Sequence, residues 1–329
     1  MSNFFGALSN FFKPAQPKYP ADSLTEPAQI TRSKVLLIVY DPAMDNSTGA
    51  VLSKQQSWYR TADLITSFMA DLLRVSSGLA RYEIVQRVDL NEFPAKTDGF
   101  RYTPQTFMNV WSGTAPKHMP QEVDYYAILK QFNILQRVAG NEIDEVWTFG
   151  FPHAGFYESI MGGPGAFWCN APPLKNTDAS KRRFVIMGFS YERYVGEMLE
   201  AYGHRAESIM EKTFSKLTGD ANLWKRFMQY EKIAPGKAAC GNIHFAPNSQ
   251  QDYEWNNPSM VKSECYDWLL NFPNFKGDVR VVSSSEWGGG DIRAHHQWWL
   301  NHFPRIAGRR NGIHNNWWQY VAAPQNVIL

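Results

Sequence analysis

The chain has 329 residues, 44% of them hydrophobic and only 19% charged, and its 33 Lys and Arg against 31 Asp and Glu leave a net charge of +2. This is the composition of a folded globular protein, far from the disordered class. A near-neutral balance gives no sign of the concentrated basic face that phosphate backbones demand, so no nucleic acid is expected as a partner.

The opening "MSNFFGALSNFFKPAQPKYP" has no charged region ahead of its apolar stretch and no small-residue cleavage site, so it does not read as a signal peptide. Phe4, Phe5, Leu8, Phe11 and Phe12 make a narrow apolar stripe at helical spacing. That stripe reads as an arm that docks on a partner, another subunit or a membrane surface, or as one that packs on its own body or frays. Pro14, Pro17 and Pro20 mark a linker, and residues 1–33 are taken as arm and linker. No later stretch approaches the roughly eighteen apolar residues of a transmembrane segment.

Residues 34–329 are expected to form a single large α/β domain. "KVLLIVYDP" (34–42) is a β-rich apolar run closed by Asp-Pro, as in a buried strand. Residues 58–78 follow at helical period, with Leu64, Phe68, Leu72 and Val75 on one face and Gly78 as the stop. "YEIVQRV" (82–88) returns to strand, which makes a βαβ unit with a parallel crossover. The pattern continues with a helix over 123–140, strands at 144–151 and 182–190, and a long helix from about 195 to 216. An irregular insertion at about 235–278 precedes a strand at 279–285 and a helix capped by Asp291. A turn and a short aromatic helix occupy 308–321. Alternating strands and helices predict a three-layer α/β sandwich with a mostly parallel central sheet and long loop insertions.

There is no GxGxxG, GxxxxGK[ST], GxSxG or HExxH pattern, so nucleotide sites, a nucleophile elbow and the zincin motif are not supported. "GGPGAF" (162–167) reads as a tight turn. Cys169, Cys240 and Cys265 are odd in number and carry no CxxC pair, which argues against a disulfide framework or a structural zinc knot, while one disulfide stays open.

In open α/β sheets, ligands bind beyond the carboxyl ends of the strands. That rule selects Asp41 after the first strand, His153, Tyr157 and Glu158 after the third, and Glu192 and Arg193 after the fourth. It also selects Glu286, Trp287 and Asp291 after the strand at 279–285. On the long helix, Glu197, Glu200, His204, Glu207 and Glu211 fall within roughly an 80° stripe. Val195, Leu199, Tyr202, Ala206 and Ile209 lie nearly opposite. The acidic stripe is either a solvent face or a ligand face, since Glu200, His204 and Glu207 sit at i, i+4 and i, i+3 spacings that let their side chains meet one divalent ion. The loop "CGNIHFAPNS" offers His244 and Asn248 as ligand contacts or as an Asx-turn cluster. In "SEWGGGDIRAHHQWWLNHFP", His296 and Trp299 read as core, whereas His295 and His302 flank a possible cleft beside Trp298.

The segments "VWTFGFPHAGFYES", "GPGAFWCNAPPL", "YGHRAESIM", "CGNIHFAPNS", "SEWGGGDIRAHHQWW" and "NGIHNNWW" resemble the signature segments of an uncharacterised bacterial protein family, over about residues 34 to 321. The resemblance implies a shared fold and site but no reaction. Chains of that kind occur beside adhesion or carbohydrate-binding modules, which implies a carbohydrate ligand or an envelope substrate. The expectation is therefore a hydrolase, metal-assisted, at the carboxyl edge of the sheet. Glu158 and Glu286 are the candidate acid and base, with Asp291 and His295 as further catalytic candidates. The ion would sit on His204 with Glu200 or Glu207, helped by His244 or His295. The alternative is a non-enzymatic assembly or binding protein whose Phe-rich arm docks on a partner.

Overall fold

The computed structural model describes residues 21–45 and 49–329, so the Phe-rich stripe of the N-terminal arm lies outside the described residues. Its centre is a five-stranded sheet made of β1 (Thr31–Tyr40), β2 (Ala80–Leu90), β3 (Glu145–Gly150), β4 (Ser159–Gly162) and β5 (Phe184–Ser190), in the order β2-β1-β3-β5-β4. Four strands run parallel, with Val35 opposite Glu145 and Val146 opposite Ile186, and β4 closes one edge antiparallel to β5. Helices flank the sheet, as the three-layer expectation requires. From Val35 to Tyr40 every residue of β1 is buried, and so is all of β3, the signature of strands covered on both faces.

The β1–β2 connection is the predicted crossover through α1 (Thr61–Val75), whose Leu64, Phe68, Leu72 and Val75 are buried. Phe68 meets Trp147 and Phe189 edge-on, each at 5.3 Å, so this helix seals on the sheet through rings. The chain then crosses to the other side of β1, which puts a topological switch point between β1 and β3. A buried ion pair ties α2 (Val195–Phe214) to the sheet. Arg205 donates to Glu145 at 2.6 Å, Trp147 Nε1 donates to the other carboxylate oxygen at 2.6 Å, and Arg205 Nε donates to the Val321 carbonyl at 3.1 Å.

Several elements differ from the sequence expectation. The single helix over 123–140 is two helices, Tyr125–Gln131 and Ile134–Ala139, because Asn133 takes a left-handed conformation at φ 52° between them. The strand β4 was missed: only four residues long, it follows a loop with no alternation to signal it. The expected strand at 279–285 is Arg280–Val282, and it pairs antiparallel with Val261–Ser263 outside the central sheet. Its sequence supplies one buried residue, Val282, while Val281 is 58% exposed, so it does not suit a strand covered on both faces. The insertion at 235–278 contains the Val261–Ser263 strand and a helix, Cys265–Asn271, within otherwise irregular chain. The tail forms a hairpin, Arg305–Arg310 with Ile313–Asn316, ahead of the expected short helix Trp318–Val321. All three cysteines are free and buried. No helix among the described residues is long and apolar enough to cross a membrane.

Candidate metal centre

Helix α2 buries Val195, Leu199, Tyr202, Ala206 and Ile209, as its apolar stripe predicts. The opposite, acidic stripe does not face open solvent along its length. The loop 240–246 lies across it at Gly203, where an added Cβ would stand 2.3 Å from Ile243 Cδ1 and 2.5 Å from Cγ1. A glycine in mid-helix is costly, and here the missing side chain is what lets the loop approach. The loop delivers His244 to the helix.

One ligand atom each from Glu200, His204 and His244 lie within 4.8 Å of one another. His244 Nε2 is 3.2 Å from Glu200 Oε1, and His204 Nε2 is 4.0 Å from the same oxygen. These separations bracket the edge of about 3.3 Å that a tetrahedron of ligands at zinc–nitrogen distances would have. Each imidazole is turned by a carboxylate behind it. His204 Nδ1 is 3.0 Å from Glu207 Oε2, and His244 Nδ1 is 3.0 Å from Asp252 Oδ1. With Nδ1–H given to the carboxylate, each ring presents the Nε2 lone pair to the centre, the arrangement metal-binding histidines usually show. Glu207 also accepts the Ile243 N–H at 3.1 Å, so it fixes the ring and the loop together. Glu207 thus stands behind His204 rather than beside Glu200.

The electrostatics favour a positive charge here. Burial works against ionised Glu200, but its hydrogen bond to His244 and the charges of His244 and His204 outweigh burial and hold the carboxyl below its usual range. Burial likewise works against protonated His204, but Glu207, Glu158 and Glu200 prevail and raise it.

Glu158 Oε2 lies 3.9 Å from His204 Nε2, on the open side of the cluster. Glu158 is placed by a loop that crosses the end of the sheet where two strands carry no side chain. At Gly188 a Cβ would meet the Tyr157 carbonyl at 2.3 Å, and at Gly150 it would meet the Phe156 ring at 2.9 Å. The Gly188 N–H donates to the Glu158 carbonyl, near the carboxyl end of β5. Asn170 Nδ2 donates to Glu158 Oε2 at 2.6 Å, and the Asn170 N–H donates to Ser208 Oγ on α2, so the residue that holds the carboxylate is itself anchored to the helix.

A cavity of about 320 Å³ opens beside Glu158, lined also by His153, Phe156, Glu192, Arg193 and Glu197. Its wall at His153 and Ala154 is pinned from beneath by buried Lys96. The Lys96 ammonium donates to the carbonyls of Gln121 at 2.7 Å, His153 at 2.6 Å and Ala154 at 2.8 Å.

The structure gathers Glu158, Glu200, His204, Glu207 and His244 at one place, and sets His153, Glu192 and Arg193 around the adjoining cavity. The other candidates lie in different company. Asp41 accepts from the Ser53 N–H at 2.9 Å and its hydroxyl at 2.6 Å. Tyr157 stacks parallel on Tyr125 at 6.2 Å. Asn248 is buried and donates to the carbonyls of Asn257 and Ser259, which braces the insertion. Glu286 accepts from Tyr266 at 2.9 Å on an exposed turn. Because the segment before it leaves the central sheet, it does not stand at the sheet's carboxyl edge. Asp291 caps its helix, Ile292–Asn301, by accepting the Ala294 N–H at 2.6 Å. Trp287 is buried and donates to the Trp255 carbonyl.

His295 and His302 do not flank a cleft, as the helix pattern had suggested; both are buried. His295 Nδ1 is 3.1 Å from His296 Nδ1 and its ring stacks on Trp255, and burial first, then the charge of His244, push it down to about 3. The insertion packs over that helix flank, which no local periodicity signals.

Two members of the centre were not read from the sequence. Asp252 is four residues past Asn248 in polar loop and carried no spacing signal. Tyr253 hydrogen-bonds Glu200, lies 4.3 Å from the His244 ring, and holds φ at 60°, a strained conformation for a bulky residue.

No family model, curated protein or solved structure matches this chain, in keeping with an uncharacterised family.

Proposed function

We propose that this chain is a metal-assisted hydrolase whose divalent ion is held by Glu200, His204 and His244. One observation carries the reading: both imidazoles are backed on Nδ1 by a carboxylate and turn Nε2 toward the same Glu200 oxygen. Two histidines and one glutamate form a ligand set that leaves positions open for water and substrate. A divalent ion there would act as a Lewis acid and make water ionise near neutral pH. Glu158, held by Asn170 at hydrogen-bonding distance and 3.9 Å from His204, is the group placed to accept and return a proton. Glu207 and Asp252 keep the rings in their working tautomer.

The test is metal content by plasma mass spectrometry on protein purified without chelator or nickel, together with calorimetric titration of Zn²⁺ and Mn²⁺. The expected result is one ion per chain that is lost in His204→Ala and bound 10- to 100-fold more weakly in Glu207→Gln. Absence of bound metal in the wild type, with no uptake on titration, would overturn the proposal.

A further inference from the structure

A second depression adjoins the centre along His204 and His244. This groove of about 450 Å³ is lined by Trp168, Ser208, Glu211 and Asn242 as well as by His204 and His244. We propose that it is a subsite for an uncharged saccharide, with Trp168 as the stacking platform. The substrate class so named rests on the hydrolase reading, because the same two histidines line the groove and hold the ion.

Trp168 is 59% exposed, although the residue after it is fully buried. Aromatic side chains bury 150–250 Å² when they pack, so an indole left outside is an expensive choice unless a ligand covers it. Its backbone is not loose. The Cys169 N–H donates to the Ala171 carbonyl at 3.1 Å, and the Cys169 carbonyl accepts from Ser159 of β4 at 3.1 Å. On the other side, Phe167 is held beneath the cations of Arg183 and Lys212, each 5.9 Å from its ring. The indole is therefore presented to solvent from a fixed mount.

The polar lining suits hydroxyl groups, which both donate and accept. Asn242 uses its oxygen on the N–H groups of His244 and Phe245, which leaves its NH₂ as a donor. Ser208 accepts from Asn170 and keeps its own hydroxyl hydrogen, while exposed Glu211 supplies acceptors. A pyranose offers a C–H face to the indole and an edge of hydroxyls to these groups. With Glu207 and Glu211 on the same wall, a uronic-acid polymer would be repelled.

The experiment titrates the full chain, with and without Zn²⁺, with neutral hexasaccharides of glucose, mannose and N-acetylglucosamine and with hexagalacturonate. Binding is read by tryptophan fluorescence and calorimetry. At least one neutral hexasaccharide is expected to bind, with affinity falling at least tenfold in Trp168→Ala, largely retained in Trp168→Phe, and with Zn²⁺ binding unchanged in both. Failure of every neutral sugar to bind, an unaltered affinity in Trp168→Ala, or preference for the galacturonate would overturn it. Sugar binding lost in Trp168→Ala from a chain that takes up no metal would sustain the subsite and sink the hydrolase reading instead.

Discussion

Replacing Gly203 by alanine separates the geometry of the centre from the stability of the fold. On an ordinary helix this change is favourable by about 1 kcal/mol. Here the new methyl would stand 2.3 Å from Ile243 Cδ1 and 3.2 Å from Ile243 Cβ. Carbon atoms settle at about 3.5–4.0 Å, so the near contact must open by about 1.2–1.7 Å. A rotamer change can move Cδ1, but the Cβ contact remains, and part of the shift must pass into the loop backbone. Overpacking of this kind costs about 1–3 kcal/mol, which leaves a net loss of about 0–2 kcal/mol after the helix gain. The centre has less tolerance. His244 follows Ile243 directly, its Nε2 is 3.2 Å from Glu200, and the Ile243 N–H bonds Glu207. Metal–ligand distances hold within about 0.2 Å, so a displacement several times larger should weaken Zn²⁺ binding by tenfold or more. Urea denaturation and calorimetric Zn²⁺ titration on the same preparation measure both quantities. Wild-type Zn²⁺ affinity in Gly203→Ala would refute the idea that the loop's close approach sets the site.

Two further outcomes concern the frame around the site. Arg205→Met should cost about 3–5 kcal/mol by leaving Glu145 buried without its cation, and Glu145→Leu in the same chain should restore part of that loss; urea denaturation of the single and double variants checks it. His302 is buried and donates to the Trp298 carbonyl, and burial, followed by the charge of Arg305, pushes it down to about 4. Its folded value lies below its unfolded value, so the unfolded chain takes up the proton first. Stability should fall as pH drops from about 6.5 to about 4, by an amount of order 3 kcal/mol. His302→Asn, which keeps a donor and removes the titration, should flatten that part of a pH series of urea denaturations.

The layered fold was legible because its signals are local. The run 34–42 is apolar without alternation, as a doubly covered strand must be, and the 3.6-residue period of α1 and α2 named their buried residues. The stripe carrying Glu200, His204 and Glu207 was legible for the same reason. What covers that stripe was legible only in part. His244 was expected to help hold the ion, with His295 as the other choice, but Asp252 arrives from the same distant loop with no signal, and Gly203 is an interior helix glycine whose purpose appears when Ile243 is seated on it. The strand expected at 279–285 exists, but the strand-end rule was applied to the wrong sheet: Arg280–Val282 pairs with Val261–Ser263, and Glu286 goes with it. His295 fell on a helix flank that looked open because the insertion whose Trp255 stacks on it has no period to read, and His302 is buried at the helix C-cap beside Trp298.

The Lys96 ammonium has three hydrogens and spends them on three carbonyls, from Gln121 and from the His153–Ala154 turn. Burial, only partly opposed by Glu122 and Asp98, lowers this lysine to about 8. A neutral amine has two hydrogens for the same three acceptors. Loss of the proton leaves one of the three carbonyls without its hydrogen bond, and the fastening between the Gln121 segment and the His153–Ala154 turn weakens. The proton on Lys96 is therefore one of the groups that holds the cavity wall beside Glu158 in place.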